Sequence, residues 1–273
     1  MQHFFQSWQS FVSDVRSLPH LLFLADYDGT LTPIVSRPAE AILSAEVRDK
    51  LGALAKTPSV SVGIVSGRAL GELKSMVGID AIYYAGNHGL EIEGPNITFI
   101  SREAEVARAE MGEIAKQLSS SLGRIDGVLV EDKGLSLSVH YRLVKPGEED
   151  TVADIFRRTT ASWLGAGRIR ITSGKKVWEV RPPIDWHKGK AVQVIRDQIR
   201  SLLGLKEMLT IYLGDDTTDE DAFRVICRPR GWSILVGGEN PSSHAGYFLN
   251  GTPEVVMLLT RLLELDKGGE GGL

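Results

Sequence analysis

A single cysteine, Cys227, stands in a chain of 273 residues. With no second cysteine to pair with, no disulfide framework holds the fold, and no Cys/His cluster has the spacing of a zinc site. Aromatic residues are few, at 7%. No apolar run approaches the ~18 residues that a membrane-spanning helix needs. The stretch from Met1 to Leu18 mixes Gln, Ser, Asp and Arg with Phe4, Phe5, Trp8 and Phe11. It lacks the basic start and apolar block of a signal peptide. An excess of positive charge is also missing: 31 Lys and Arg face 35 Asp and Glu, for a net charge of −4. That balance argues against nonspecific binding to nucleic acid or to an anionic membrane. Hydrophobic residues at 42% and charged residues at 24% exclude a disordered or fibrous chain. The expectation is a cytoplasmic globular protein with neither nucleic acid nor membrane as partner.

What is present is a set of short apolar runs, most of them closed by glycine. Leu21 to Ala25 is bounded by Pro19 and Asp26. Val60 to Val65 ends at Ser66-Gly67, Ala81 to Ala85 at Gly86, Thr210 to Leu213 at Gly214-Asp215, and Ser233 to Val236 at Gly237-Gly238. Continuous apolar strands of this kind fit a parallel sheet covered on both faces. Amphipathic stretches lie between them, such as Ala45 to Lys56 and Lys190 to Leu203. The alternation predicts an α/β fold with a doubly wound, Rossmann-like parallel sheet as its core.

The middle of the chain has a different pattern. Val128 to Val130 and Leu135 to Tyr141 read as antiparallel strands, the second with Leu135, Leu137, Val139 and Tyr141 on one face. A helix is expected over Glu148 to Leu164, then strands at Arg168 to Thr172 and Lys175 to Arg181 about a turn at Ser173-Gly174. The expected organisation is a core at 1–102 and 183–265, an inserted α+β cap at 103–182, and a flexible Gly-rich tail at 266–273.

In a doubly wound sheet, ligands bind at the carboxyl ends of the strands. Polar clusters fall there: Asp26-Tyr27-Asp28-Gly29-Thr30, Ser66-Gly67-Arg68, and Gly214 to Asp221 with five carboxylates. Each alone reads as a turn or a helix start. Together they concentrate like charges that a hard cation would offset, and oxygen ligands suit Mg²⁺. Ser66, the Gly29 and Thr30 amides and a lysine could hold a phosphoryl group. Lys188, in Trp186-His187-Lys188-Gly189-Lys190, is that lysine or an exposed loop residue.

The order Asp26-x-Asp28-Gly-Thr, Ser66-Gly-Arg68, Lys188-Gly, Gly-Asp215-Asp216-x-Thr-Asp219-Glu-Asp221 resembles the four motifs of the haloacid dehalogenase superfamily. More narrowly, the chain from Leu21 to Leu263 is similar to the trehalose-6-phosphate phosphatase family. That likeness is carried by Asp26 to Thr32, Gly86 to Glu91, Glu131 to Gly134, Val139 to Arg142, Gly174 to Pro182 and Gly214 to Asp221. Asn87 and Trp178 stand where the family varies.

The resemblance implies a Mg²⁺-dependent phosphatase acting on trehalose 6-phosphate. Asp26 would be the nucleophile and Asp28 the acid and base, with Ser66 and Lys188 holding the phosphoryl group. It implies Mg²⁺ on the Asp26 carboxylate, the Asp28 carbonyl and Asp215, with Asp216 and Asp219 near the metal or its waters. Gly29, Arg68, Asn87, His88, Glu131, Lys133, Arg142, Lys175 and Glu179 would contact substrate. For the cap residues the alternative is surface ion pairs between strands, and for His88 a structural role. The alternative activities are phosphatases of sucrose-phosphate, glucosylglycerol-phosphate or mannosylglycerate type, a phosphomutase, and an inactive sugar-phosphate sensor. The expected state is a monomer, with trehalose-6-phosphate synthase as the partner the resemblance suggests.

Overall fold

The computed structural model describes residues 1–226 and 230–267. Cys227 and the tail beyond Lys267 lie outside the described residues. The chain divides into two compact units, Met1–Phe99 with Trp186–Leu273, and Ile100–Asp185.

The first unit opens with β1 (Gln2–His3), α1 (Trp8–Ser17), β2 (Leu21–Ala25), α2 (Ala45–Leu54), β3 (Val60–Val65), α3 (Leu70–Val77), β4 (Tyr83–Gly86), β5 (Glu91–Gly94) and β6 (Ile97–Ile100). The second unit holds α4 (Arg102–Leu122), β7 (Leu129–Asp132), β8 (Leu137–His140), α5 (Glu149–Gly165), β9 (Arg170–Gly174) and β10 (Val177–Arg181). The chain then returns to the first unit with α6 (Lys188–Leu203), β11 (Leu209–Gly214), α7 (Glu220–Val225), β12 (Gly231–Val236), β13 (Tyr247–Leu249) and α8 (Thr252–Lys267).

The core sheet runs β1-β13-β12-β11-β2-β3-β4-β5-β6. It is parallel from β1 to β4, and β5 joins β4 antiparallel. Strand β2 is buried along its whole length because helices cover both faces. Two apolar clusters follow from its alternation: Leu21, Phe23 and Ala25 pack on one side, Leu22 and Leu24 on the other. Ala25 is level with Leu213 on β11 and Ile64 on β3, so the ends of these three strands come out side by side.

The second unit is a four-stranded sheet, β7-β8-β10-β9, antiparallel throughout. Leu137, Val139 and Val180 pack with Met111, Ile114 and Leu118 of α4 and with Val152 and Phe156 of α5. Two expectations change here. Gly174 pairs with Val177, so the hairpin turns at Lys175-Lys176 and not at Ser173-Gly174, and Lys176 takes φ 65. Strand β8 ends at His140, which leaves Arg142 in the following turn. In the first unit, Lys188 is the first residue of α6 and not part of a loop before it, and α8 continues to Lys267, past the expected start of the tail.

Candidate active site

Asp26 leaves β2 with its amide bonded to the Leu213 carbonyl at 2.8 Å. The next residues turn tightly: Leu31 and Thr32 amides both donate to Tyr27 O at 3.0 Å, and Gly29 N donates to Thr32 O at 2.8 Å. Gly29 holds φ +82, and a Cβ there would lie 2.2 Å from Asp215 Oδ2. Only glycine allows both the left-handed backbone and this approach. The Asp28-Gly29 backbone is thereby pressed against the Asp215 carboxylate.

Lys188 reaches this corner from the first turn of α6. Its Nζ lies 3.0 Å from Asp26 Oδ1 and 2.8 Å from Asp219 Oδ1, with its side chain 2% exposed. A buried ammonium is tolerated only with such partners. Burial works against its charge, but Asp219 and Asp26 outweigh it and hold the Lys188 pKa well above its ordinary value. Asp219 is saturated: Oδ1 accepts from Lys188 and from Tyr212 OH at 2.6 Å, and Oδ2 from the amides of Asp215 at 3.1 Å and Asp216 at 3.2 Å. Asp216 accepts from Thr218 N at 2.8 Å and Thr218 Oγ1 at 2.7 Å. Against the burial that would raise it, Lys188 and these bonds hold the Asp216 carboxyl below its usual range.

Asp26, Asp215 and Asp219 each bring a carboxylate oxygen within 4.8 Å of the others. Asp219 has its accepting capacity spent on four donors, so a cation held here would draw on Asp26 and Asp215 rather than on Asp219. Burial first, then repulsion from Asp219, Asp215 and Asp216, pushes the Asp26 carboxyl well above its usual range, against the pull of Lys188. One lysine does not neutralise this group. An all-oxygen donor set with unrelieved negative charge fits a hard divalent cation such as Mg²⁺.

Ser66 follows β3, 1% exposed, with its Oγ accepting from the Arg68 amide at 3.2 Å. The loop after β4 braces it: His88 N donates to Ser66 O at 2.8 Å and Asn87 N to Arg68 O at 2.7 Å. Asn87 and His88 hold φ of 49 and 58, both in the left-handed region that costs a non-glycine residue energy. Asn87 is fully buried and donates to Glu91 Oε1 at 2.7 Å, an oxygen that also takes the Leu70 amide. Its side chain braces this loop. His88 Nε2 packs so close to Gly67 that a Cβ there would lie 2.6 Å away. Arg68 is bonded within the same unit. It grips both oxygens of Asp28 at 2.8 Å and donates to Glu72 at 2.7 Å and Pro38 O at 2.7 Å. The motif reading missed Tyr212 and Glu72, and gave no role to Glu91, the last residue of the Gly86 to Glu91 motif. Only Glu72, one helical turn from Arg68, had a spacing that could have flagged it.

Within the second unit, Glu131, Glu179 and Lys133 share the sheet face opposite the helices. Lys133 Nζ lies 3.8 Å from Glu179 Oε1, with side chains 8% and 13% exposed, and Arg181 also bonds Glu179. Glu131 Oε2 accepts from His140 Nε2 at 2.9 Å. Such shielding is unlike an exposed cross-strand ion pair. Lys175 and Arg142 do not join this group. They meet at the hairpin tip, where Arg142 Nη2 donates to Lys175 O at 3.0 Å.

No helix among the described residues is long and apolar enough to cross a membrane. The family model described as trehalose-phosphatase matches residues 24–252. A relative from Oryza sativa subsp. japonica, named probable trehalose-phosphate phosphatase 2, is 36% identical, covering 94% of this chain and 71% of its own length. The solved trehalose-6-phosphate phosphatase of Aspergillus fumigatus is 28% identical with a TM-score of 0.61, covering 94% of this chain and 97% of that one. The trehalose-6-phosphate phosphatase C-terminal domain of C. albicans has a TM-score of 0.75 and covers 93% of this chain and 95% of that one. At 23% identity, this last likeness is one of fold.

Proposed function

The chain belongs to the trehalose-phosphatase family, and from that premise we propose how its residues hydrolyse trehalose 6-phosphate to trehalose and phosphate. The observation that carries the reading is the juxtaposition of Asp26 and Asp215, at the ends of adjacent strands, with Lys188 from the first turn of α6. Asp26 attacks phosphorus, the bond to the sugar oxygen breaks, and an aspartyl-phosphate forms. Asp28 gives a proton to the departing alkoxide, a poor leaving group without one. Water then attacks phosphorus, Asp26 leaves as carboxylate, and Asp28 takes the water's proton.

Lys188 offsets charge on the phosphoryl oxygens, and Asp219 holds the ammonium where Asp26 can share it. Ser66 contributes a hydroxyl to the same group. Mg²⁺, held by Asp26, Asp215 and the Asp28 carbonyl, would neutralise phosphoryl charge when bound. Sugar recognition falls to Glu131, Lys133 and Glu179, whose shielded charges can pair with hydroxyls and leave a wrong sugar's site unsatisfied. Arg142 and Lys175, at the hairpin tip, are further candidates for sugar contact. With one cysteine and no membrane-spanning helix among the described residues, the substrate pool we assign is cytoplasmic.

The assignment of the nucleophile is tested by Asp26→Asn. A folded Asp26→Asn protein should release no phosphate from trehalose 6-phosphate. Sustained turnover by that variant rejects Asp26 as the attacking group.

A further inference from the structure

Arg68 is a buried cation that the reaction above does not use. Its side chain is 6% exposed and engaged on every side. Nε and Nη2 each donate to one oxygen of Asp28 at 2.8 Å. Nη1 donates to Glu72 at 2.7 Å, and Nη2 also reaches Pro38 O at 2.7 Å. The guanidinium carbon lies 5.4 Å from the centroid of the Tyr27 ring. That ring is itself fixed, fully buried with its hydroxyl donating to Ala41 O at 2.8 Å. A planar fork held by four groups is a rigid part, and it matches a carboxylate edge to edge. Lysine, a point charge on a flexible stem, cannot reproduce it.

The Asp28 side chain nonetheless stays 41% exposed. A carboxylate bonded along one edge keeps lone pairs on its outer edge. The outer edge of Asp28 therefore faces solvent while the inner edge is gripped.

We propose that Arg68 is a positioning residue that aims the outer edge of Asp28 at the attacking water in the second half of the reaction. This rests on the reading in which Asp28 serves as acid and base. In that half, the water oxygen bonds to phosphorus and the bond from phosphorus to Asp26 breaks. Asp26 keeps the electron pair, and the water proton passes to Asp28, which holds it for the next leaving group. Asp28 lies in a turn between Tyr27 and Gly29. Without the fork, it turns among rotamers that do not meet the water, and alignment is lost.

The experiment uses p-nitrophenyl phosphate, whose leaving group needs little help from an acid, so the first half is spared. Arg68→Lys keeps the charge and removes the fork; Arg68→Ala removes both. The expected result is a kcat about 10- to 100-fold lower with kcat/KM far less changed. Rapid quench should show a burst of one nitrophenol per site, with phosphate left on the protein. Added guanidinium should restore part of the Arg68→Ala rate. Where Arg68→Ala does not fold, Arg68→Lys decides. A parallel fall of kcat and kcat/KM with no burst overturns the proposal, as does an unchanged kcat in Arg68→Lys. Should the wild type leave trehalose 6-phosphate intact while the variants show the burst, the substrate reading fails and the role of Arg68 stands.

Discussion

Lys188 and Asp219 form an ion pair at 2.8 Å in which the two side chains are 2% and 0% exposed. The same ammonium lies 3.0 Å from Asp26 Oδ1. Asp219 also satisfies Tyr212 and two backbone amides, so it closes the turn after β11 and fixes the lysine together.

Asp219→Ala removes one partner from each of four donors at once. It should lower unfolding free energy by about 3–5 kcal/mol, the range for breaking a buried pair. Lys188→Met should cost less, because Asp219 keeps its other three donors. Urea unfolding measures both. A smaller loss for Asp219→Ala than for Lys188→Met would contradict this account of the corner.

Asp26 gives a prediction with an unusual sign. Burial and its acidic neighbours raise its pKa in the metal-free fold. A carboxyl raised on folding binds more protons folded than unfolded, so it lowers stability progressively as pH rises from its unfolded value to its folded one. Above both, the cost is fully present. Asp26→Asn, though inactive, should therefore raise the melting temperature in EDTA at neutral pH, by ~2–4 °C for each kcal/mol relieved. Near pH 3, where wild-type Asp26 is itself protonated, the gain should vanish. Calorimetry showing a lower melting temperature for Asp26→Asn at neutral pH would reverse the argument.

Gly29→Ala places a methyl group 2.2 Å from Asp215 Oδ2 on a backbone at φ +82. Either the turn or the Asp215 carboxylate must move. Mg²⁺ affinity measured by titration calorimetry should fall by more than ~10-fold, about 1.4 kcal/mol. Unchanged affinity would show that the metal does not depend on this contact.

Glu179 bears on the sugar. It is 13% exposed between Lys133 and Arg181. Glu179→Ala should lower kcat/KM for trehalose 6-phosphate by more than ~10-fold, and barely change that for p-nitrophenyl phosphate. Equal losses on both substrates would assign Glu179 to the fold or the core chemistry. No loss on either would return it to a simple ion pair.

These predictions depend unequally on what the sequence disclosed. The ends of β2, β3 and β11 were legible because buried parallel strands read as unbroken apolar runs stopped by Asp or Gly. The short motifs after them then fell at one sheet edge. The grip of Arg68 on Asp28 was not legible, because it joins residues 40 positions apart through side-chain geometry alone. The bond from Asn87 to Glu91 was not legible either, although both lie in one motif, because it depends on the left-handed turn between them. Lys175 was placed on a strand by parity. The hairpin turns two residues later than the Ser-Gly pair suggested, since Gly174 is tolerated in β9 and Lys176 takes the left-handed position. Helix α4 and the β5 and β6 strands passed unnoticed, lying outside the motif-bearing segments.

The central claim is the substrate, and phosphate release across a panel of sugar phosphates with Mg²⁺ tests it most directly. The panel comprises trehalose 6-phosphate, sucrose 6-phosphate, glucosylglycerol phosphate, mannosylglycerate phosphate and glucose 6-phosphate. The account predicts the highest kcat/KM on trehalose 6-phosphate, loss of activity in EDTA, and its return on adding Mg²⁺. A higher kcat/KM on another member of the panel, or undiminished turnover without metal, would contradict it.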